Sequence, residues 1–183
     1  MKIIKNDKRS RVFYNTKSKE YIKYFCPKFS KRLKYFLGFG KYPGHNFKYI
    51  SEILNSIGIK TVEIISFDKY KVVTEELEGI SLKEALEKSN KEKSKIYLEK
   101  YIGVINKLIK NEIYFADYNS DNFYIFEDEI YALDLEDYRK DCLFCFRKKN
   151  MLDKMEEKIK SIPKKCLKVL NIGYNEIYKK IRY

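Results

Sequence analysis

Asp117, Asn122 and Asp134 have the chemical types and the spacing to hold a metal–nucleotide and to activate a hydroxyl. In Asp117-Tyr118-Asn119-Ser120-Asp121-Asn122 an amide follows the first acid by five residues, and Asp134-Leu135-Glu136 supplies a second acid. Phosphoryl transfer needs one carboxylate at the acceptor hydroxyl, and an amide oxygen and another carboxylate holding Mg²⁺ against the phosphates of ATP. Asp117 is therefore the candidate base, and Asn122 and Asp134 are the candidate Mg²⁺ ligands. The runs Phe123-Tyr124-Ile125-Phe126 and Ile130-Tyr131-Ala132-Leu133, joined by Glu127-Asp128-Glu129, predict a hairpin that returns Asp134 toward the loop. The competing reading is that Asp117, Asn119, Asp121 and Asn122 are turn residues capping their own backbone.

The elements that must position these groups are legible in outline. Val12-Phe13-Tyr14 and Tyr21-Ile22-Lys23-Tyr24-Phe25 flank a turn-like Asn15–Lys19 and read as a hairpin. Alternation puts Lys23 on the face opposite Ile22 and Tyr24, where it is the candidate phosphate-binding cation. Pro27 to Pro43 reads as irregular and basic, carrying Lys28, Lys31, Arg32, Lys34 and Lys41 among Phe29, Tyr35, Phe36 and Phe39. Phe47, Ile50, Leu54 and Ile57 predict a helix closed by Gly58. Val62–Ile65 and Lys71–Thr74 predict strands, and Thr74–Gly79 a hinge whose glycine frees the turn. Ser81 and Glu84 predict a capping box. Leu98, Tyr101, Ile102, Ile105, Leu108 and Ile109 then stripe a long helix leading into the Asp117 loop. Met151, Met155 and Ile159 mark one further helix. Leu167, Leu170, Tyr174, Ile177 and Ile181 mark another, with Pro163 between. The order predicts one two-lobed α+β domain: an N-lobe over 1–75, a hinge over 76–79 and a mostly helical C-lobe over 80–183.

Composition narrows the classes. The 183 residues suit a single domain, and no run of about 18 apolar residues or signal-peptide core is present, so a cytoplasmic, soluble protein is expected; a monomer is expected as well. Cys142 and Cys145 have zinc-knuckle spacing, but no second pair matches them and His45 is the only histidine; the four cysteines are expected as buried thiols among aromatics. A formal charge of +13 suits acidic partners such as nucleic acid, anionic lipid head groups or phosphorylated glycans. Codon bias in an AT-rich genome competes as the cause, because Lys, Ile, Asn and Tyr are abundant and Trp is absent.

Val73-Thr74-Glu75-Glu76-Leu77-Glu78-Gly79-Ile80-Ser81-Leu82 resembles the hinge of the protein-kinase-like superfamily. Arg9-Ser10-Arg11-Val12-Phe13-Tyr14, Lys23, Asp117, Asn122 and Asp134 fall in that superfamily's order. Within it the chain resembles the small bacterial lipopolysaccharide core kinases, which phosphorylate heptose or Kdo sugars. The points of likeness are the Arg-Ser-x-Val start, the short lobes, the helix ending in Ser56-Ile57-Gly58-Ile59 and the size; they cover about residues 3–140. The resemblance implies a compact two-lobed protein-kinase-like fold with a minimal C-terminal lobe, using ATP and Mg²⁺. It gives Lys23 the α/β-phosphates, Arg9 and Ser10 the phosphate cover, and Asp117 the acceptor hydroxyl. Asn122 and Asp134 take the metal, and the Glu75 carbonyl and Leu77 amide take adenine. Its substrate would be the anionic glycolipid at the inner face of the cytoplasmic membrane, met by the basic 28–41 segment.

Four departures accompany the likeness. No glycine-rich loop stands at Asp7–Arg11, Phe115 replaces the histidine usual two residues before Asp117, and Asp134-Leu135-Glu136 replaces Asp-Phe-Gly. Asn46, rather than a glutamate, is the residue placed to partner Lys23, which would make that a neutral hydrogen bond. Two rival readings remain: a pseudokinase or scaffold, and a small atypical protein kinase of an RNA-associated complex. Direct nucleic-acid binding is not expected, since no Lys/Arg-rich tail follows the helices.

Overall fold

The computed structural model describes residues 1–115, 117–140 and 143–181. It divides into two compact units: Met1–Ile53 with Val62–Leu77, and Leu54–Thr61 with Glu78–Tyr183.

The first unit is built on an antiparallel sheet of β1 (Lys2–Asn6), β2 (Ser10–Asn15), β3 (Glu20–Phe25), β5 (Ile64–Asp68) and β6 (Lys71–Glu75), in the order β1-β2-β3-β6-β5. The β2–β3 hairpin forms where alternation predicts it, with Lys23 opposite Val12 on one side and Val72 on the other. The strand predicted at Val62–Ile65 instead starts at Ile64 and runs to Asp68. Glu63 lies outside it, and its carbonyl accepts from the Glu75 N–H at 3.1 Å.

The basic segment is not irregular. Phe29–Phe36 forms a helix, α1, and α2 follows over Pro43–Ser56. The sequence reading gave weight to the flanking Pro27, Gly38, Gly40 and Pro43; the i, i+4, i+7 spacing of Phe29, Leu33 and Phe36 was the helical signal. On α2, Phe47 and Ile50 are buried as their spacing requires. Gly44 lets its first turn press on the β5–β6 turn, for a Cβ there would stand 1.9 Å from the Asp68 carbonyl oxygen.

In the second unit β4 (Lys60–Thr61), β7 (Ile80–Ser81), β9 (Phe123–Phe126) and β10 (Glu129–Ala132) form a sheet in the order β4-β10-β9-β7. β8 (Ile113–Tyr114) pairs with β11 (Arg139–Lys140). Gly79 does not supply a left-handed turn. It allows close approach, since a Cβ there would meet the Ile125 carbonyl oxygen at 2.6 Å. α3 (Leu82–Lys88) starts at Ser81, whose Oγ accepts from the Glu84 N–H at 3.2 Å, while the Glu84 carboxylate pairs with Lys88 at 2.6 Å. α4 (Lys91–Lys110) buries its whole predicted stripe.

Among the described residues the C-terminal region holds three helices rather than two: α5 (Phe144–Ile159), α6 (Lys164–Leu170) and α7 (Tyr174–Lys180). Asn171 in left-handed conformation (φ 54°) stops α6, and the Ile172 N–H returns to the Leu167 carbonyl at 3.1 Å. The Asn171-Ile172-Gly173 stop signal outweighs the continuous apolar spacing. The expectation of buried thiols fails in part: Cys166 is buried, Cys26 half-buried and Cys145 exposed, and Cys142 lies outside the described residues.

Candidate functional site

In the second unit the loop after β8 is held in place by aromatic packing. Phe115, where the histidine is usual, is buried and stacks on Tyr138 with centroids 3.8 Å apart and planes 13° off parallel. Tyr118 and Phe123 close around it edge-on at 5.1 and 6.2 Å. The Tyr101 hydroxyl, rising from α4, donates to the Tyr118 carbonyl at 2.5 Å. Burial pushes the Tyr101, Tyr118 and Tyr138 hydroxyls well above the ordinary phenol range, so all stay neutral. Packing does here what a histidine strut would do by hydrogen bonding.

The loop's polar residues divide into two groups. Asn119 and Asp121 follow the turn reading: the Asn119 Oδ1 accepts from the Asp121 N–H at 3.1 Å, and Asp121 faces Lys83 at 3.8 Å. Ser120 is fully buried and exchanges hydrogen bonds with Ser161 beyond α5, its N–H donating to Ser161 Oγ at 3.0 Å. Asp117 and Asn122 do not cap themselves. Asn122 Nδ2 donates to the Asp117 carbonyl at 3.3 Å, and the Asn122 carbonyl accepts from the Leu133 N–H at 2.9 Å. These two bonds place Asp117, Asn122 and Asp134 in one neighbourhood.

Asp134 adopts left-handed backbone (φ 59°, ψ 48°) at the entry of a short 3₁₀ turn, Leu135–Asp137, anchored by the buried Leu135. A non-glycine residue there costs about 1 kcal/mol or more and marks sites where direction matters more than local stability. Asp117 Oδ1 is buried with no hydrogen-bond partner among the described residues; Lys158 Nζ, from α5, stands 3.6 Å from it. The rest of the Asp117 side chain stays open, at 43% exposure. Lys158 was not among the residues singled out from sequence, since nothing in the α5 apolar stripe distinguishes it from the neighbouring lysines.

The donor set fits Mg²⁺. With Nδ2 committed to the Asp117 carbonyl, Asn122 turns Oδ1 away from that bond, and an amide oxygen with one carboxylate is the all-oxygen pair that Mg²⁺ takes alongside phosphate and water.

The other predicted residues lie in the first unit. Lys23 is half-buried on β3, its Nζ 5.5 Å from the Phe25 ring centroid. Asn46 is buried on α2, whereas Glu52 points to solvent and pairs with Lys48 at 3.3 Å. At the β1–β2 turn, Asp7 Oδ1 accepts from the N–H groups of Ser10 and Arg9, both at 2.7 Å. Those bonds, with Lys5, pull its carboxyl down to about 2. The backbone donors that a glycine-rich loop would offer a phosphate are thus already filled. Arg9 is exposed, and Ser10 is buried. At the end of β6 the Glu76 N–H donates to the Lys19 carbonyl at 2.9 Å. The Tyr14 hydroxyl donates to the Glu76 carboxylate at 2.7 Å. The Glu75 N–H goes to Glu63, and Leu77 ends the unit half-buried.

The element order and this loop define a protein-kinase-like fold with a small helical C-terminal part. Among solved structures the chain is similar to the Rio2 kinase of Chaetomium thermophilum in its ADP/Mg²⁺–phosphoaspartate complex. The TM-score is 0.62 and the identity 12%, over 99% of this chain and 62% of that one. The sequence matches no family profile and no curated protein.

Proposed function

We propose that this chain is an ATP- and Mg²⁺-dependent phosphotransferase acting on a sugar hydroxyl, the heptose or Kdo of a lipopolysaccharide inner core. The observation that carries the phosphotransferase reading is the Asp117 carboxylate. It is held by its backbone to Asn122, left without a hydrogen bond on Oδ1 among the described residues, and open on its other side. Mg-ATP, when bound, supplies the γ-phosphoryl group and spreads its charge over the metal. Asp117 orients the acceptor hydroxyl and takes its proton as the oxygen attacks. Asn122 Oδ1 and the Asp134 carboxylate hold the metal, and Lys158 offsets charge beside Asp117. Lys23 is assigned the nucleotide phosphates, and Glu75 and Leu77 the adenine, by resemblance. The sugar acceptor rests on the Arg9-Ser10-Arg11-Val12 start, the Ser56–Ile59 helix end and the cationic 28–41 segment.

Purified protein with Mg-ATP and lipid A–core lacking inner-core phosphate should add one phosphate to the glycolipid, read by mass spectrometry. Asn122→Ala and Asp134→Asn should each lower turnover at least about 100-fold with the fold retained, Asn122→Ala melting slightly lower for the lost bond to the Asp117 carbonyl, since both are placed as ligands outside the apolar core. Wild-type kinetics in either variant would end the metal-ligand assignment.

A second reading, an atypical protein kinase, is supported by the likeness in fold to Rio2. Phosphate transfer to a ribosome-associated protein fraction, with none to lipid A–core, would favour it. A scaffold is the reading if Mg-ATP raises the melting temperature and no acceptor is phosphorylated, a result that a neutral Asn46, with the Glu52 of α2 turned to solvent, would explain.

A further inference from the structure

α1 is an amphipathic helix with nothing of its own in a core. None of its side chains is buried, and Phe29 and Phe36 are 81% and 79% exposed, with Leu33 and Leu37 also open. Phe39, at the tip Gly38-Phe39-Gly40 that follows, is 79% exposed. Tyr35 and Arg32 hold the helix to the rest of the first unit, Tyr35 packing on Tyr42 at 5.8 Å and the Arg32 guanidinium lying 5.5 Å from the Tyr70 ring, and Phe29, Leu33 and Phe36 line an open hollow beside those rings. Lys28 at its N-cap makes no side-chain cap. An eight-residue helix without a cap or a buried face is marginal in water. Its apolar stripe is also the kind of contiguous patch that marks an interaction surface.

Charge decides the partner. No Asp or Glu occurs between Glu20 and Glu52, while Lys28, Lys31, Arg32, Lys34 and Lys41 surround the stripe. Lys69 joins Tyr42 and Tyr70 in lining the hollow beside α1. Asp68, at the end of β5, is followed by Lys69 and Lys71 and accepts from the Lys69 N–H on one carboxylate oxygen at 2.7 Å. Exposed phenylalanine and leucine on one side with lysine and arginine around them match the interface of an anionic bilayer. There apolar rings sit at the acyl boundary and cations meet head-group phosphates. No helix among the described residues is long and apolar enough to cross a membrane. Attachment by α1 would therefore lie along the surface, over about 12 Å of helix.

We propose that α1 and the Phe39 tip form a peripheral anchor that lays the first unit on a membrane rich in anionic phospholipid. The proposal does not depend on the acceptor assigned above, because the bilayer itself is the partner.

Vesicle flotation tests it with the full chain, no nucleotide, no lipopolysaccharide, and phosphatidylcholine with or without about 30% phosphatidylglycerol. Wild type should float with the anionic vesicles and remain behind with neutral ones. Phe29→Ser/Phe36→Ser/Phe39→Ser should lower partitioning at least about tenfold. Changing Lys28, Lys31, Arg32, Lys34 and Lys41 to Gln should lower it at least about 100-fold. The phenylalanine variant alters only exposed side chains and should melt as wild type does, while the Gln variant, which also loses the Arg32 contact with Tyr70, is compared below its own melting temperature. Because the chain has no tryptophan, Phe36→Trp gives a single reporter, whose emission should shift to the blue with anionic vesicles. Absence of flotation, or equal flotation of the phenylalanine variant, would overturn the proposal. So would a tryptophan emission unmoved by lipid, or a lipid-free dimer that the phenylalanine substitutions dissolve, which would make a second copy of the chain the occupant.

Discussion

Asp117 and Lys158 stand 3.6 Å apart at partial exposure, so as a stabilising ion pair they contribute about 0–1 kcal/mol. Their value lies in position. Asp117→Ala should lower turnover at least about 100-fold with nucleotide affinity retained, because the group addresses the acceptor. Lys158→Met should lower kcat about 10-fold or more with little change in melting temperature, and Lys158→Arg should recover most of that loss. Steady-state kinetics beside thermal melts separate the roles. If Lys158→Met loses stability and keeps kcat, the lysine braces the loop and does no more.

At the scale of elements, the β9–β10 hairpin aims Asp134, and α4 holds its turn. The turn contains two residues, not three. Glu127 (φ 49°) and Asp128 (φ 58°) both take positive φ, the type I′ geometry usually given to Asn-Gly. Two side chains of α4 brace it through three contacts. The Tyr97 hydroxyl donates to Asp128 Oδ1 at 2.6 Å, Lys100 Nζ reaches the Asp128 carbonyl at 2.5 Å, and the same amine meets Glu129 at 2.7 Å. Glu127→Asn should raise stability by about 0.5–1 kcal/mol by relieving left-handed strain, read as a higher denaturation midpoint.

The bond to Asp128 raises the Tyr97 hydroxyl from its ordinary 10.0 to about 12 and lowers the Asp128 carboxyl. A raised folded-state value means the contribution is complete below pH 10.0 and disappears as pH climbs through about 12. The lowered carboxyl contributes above its ordinary 3.8 and is lost on acidification below that. Tyr97→Phe should therefore be less stable than wild type near neutrality, with the gap closing above about pH 12 in alkaline melts. A gap constant across pH would assign the loss to packing.

For the whole molecule the decisive quantity is charge. With 39 Lys and Arg against 26 Asp and Glu, the folded chain repels itself, and the cations of the 21–51 stretch have no acid among them. Salt should therefore stabilise it: raising ionic strength from about 0.02 to 0.3 M shortens the Debye length from roughly 20 to 6 Å and should raise the melting temperature. A fall with salt would show that attractive pairs such as Lys100–Glu129 outweigh the net repulsion.

Local pattern was enough for the β2–β3 hairpin, the α4 stripe and the Ser81 cap, because periodicity and capping are written in neighbouring residues, whereas the protein-kinase-like class of fold came from the resemblance of the hinge and loop motifs. It was also enough to put Asp117, Asn122 and Asp134 on one loop and one hairpin, since five residues of chain and a short return limit where they can go. What only the tertiary structure decided depends on residues far apart in sequence. Phe115 finds Tyr138, Asp117 finds Lys158 across 41 positions, and Gly79 meets the Ile125 backbone. Segment 29–36 could be read as loop because Pro27, Gly38, Gly40 and Pro43 flank it and outweighed the helical spacing of Phe29, Leu33 and Phe36, whose helix buries no side chain. The split between α6 and α7 turned on one left-handed asparagine, a local event that the apolar spacing on either side concealed.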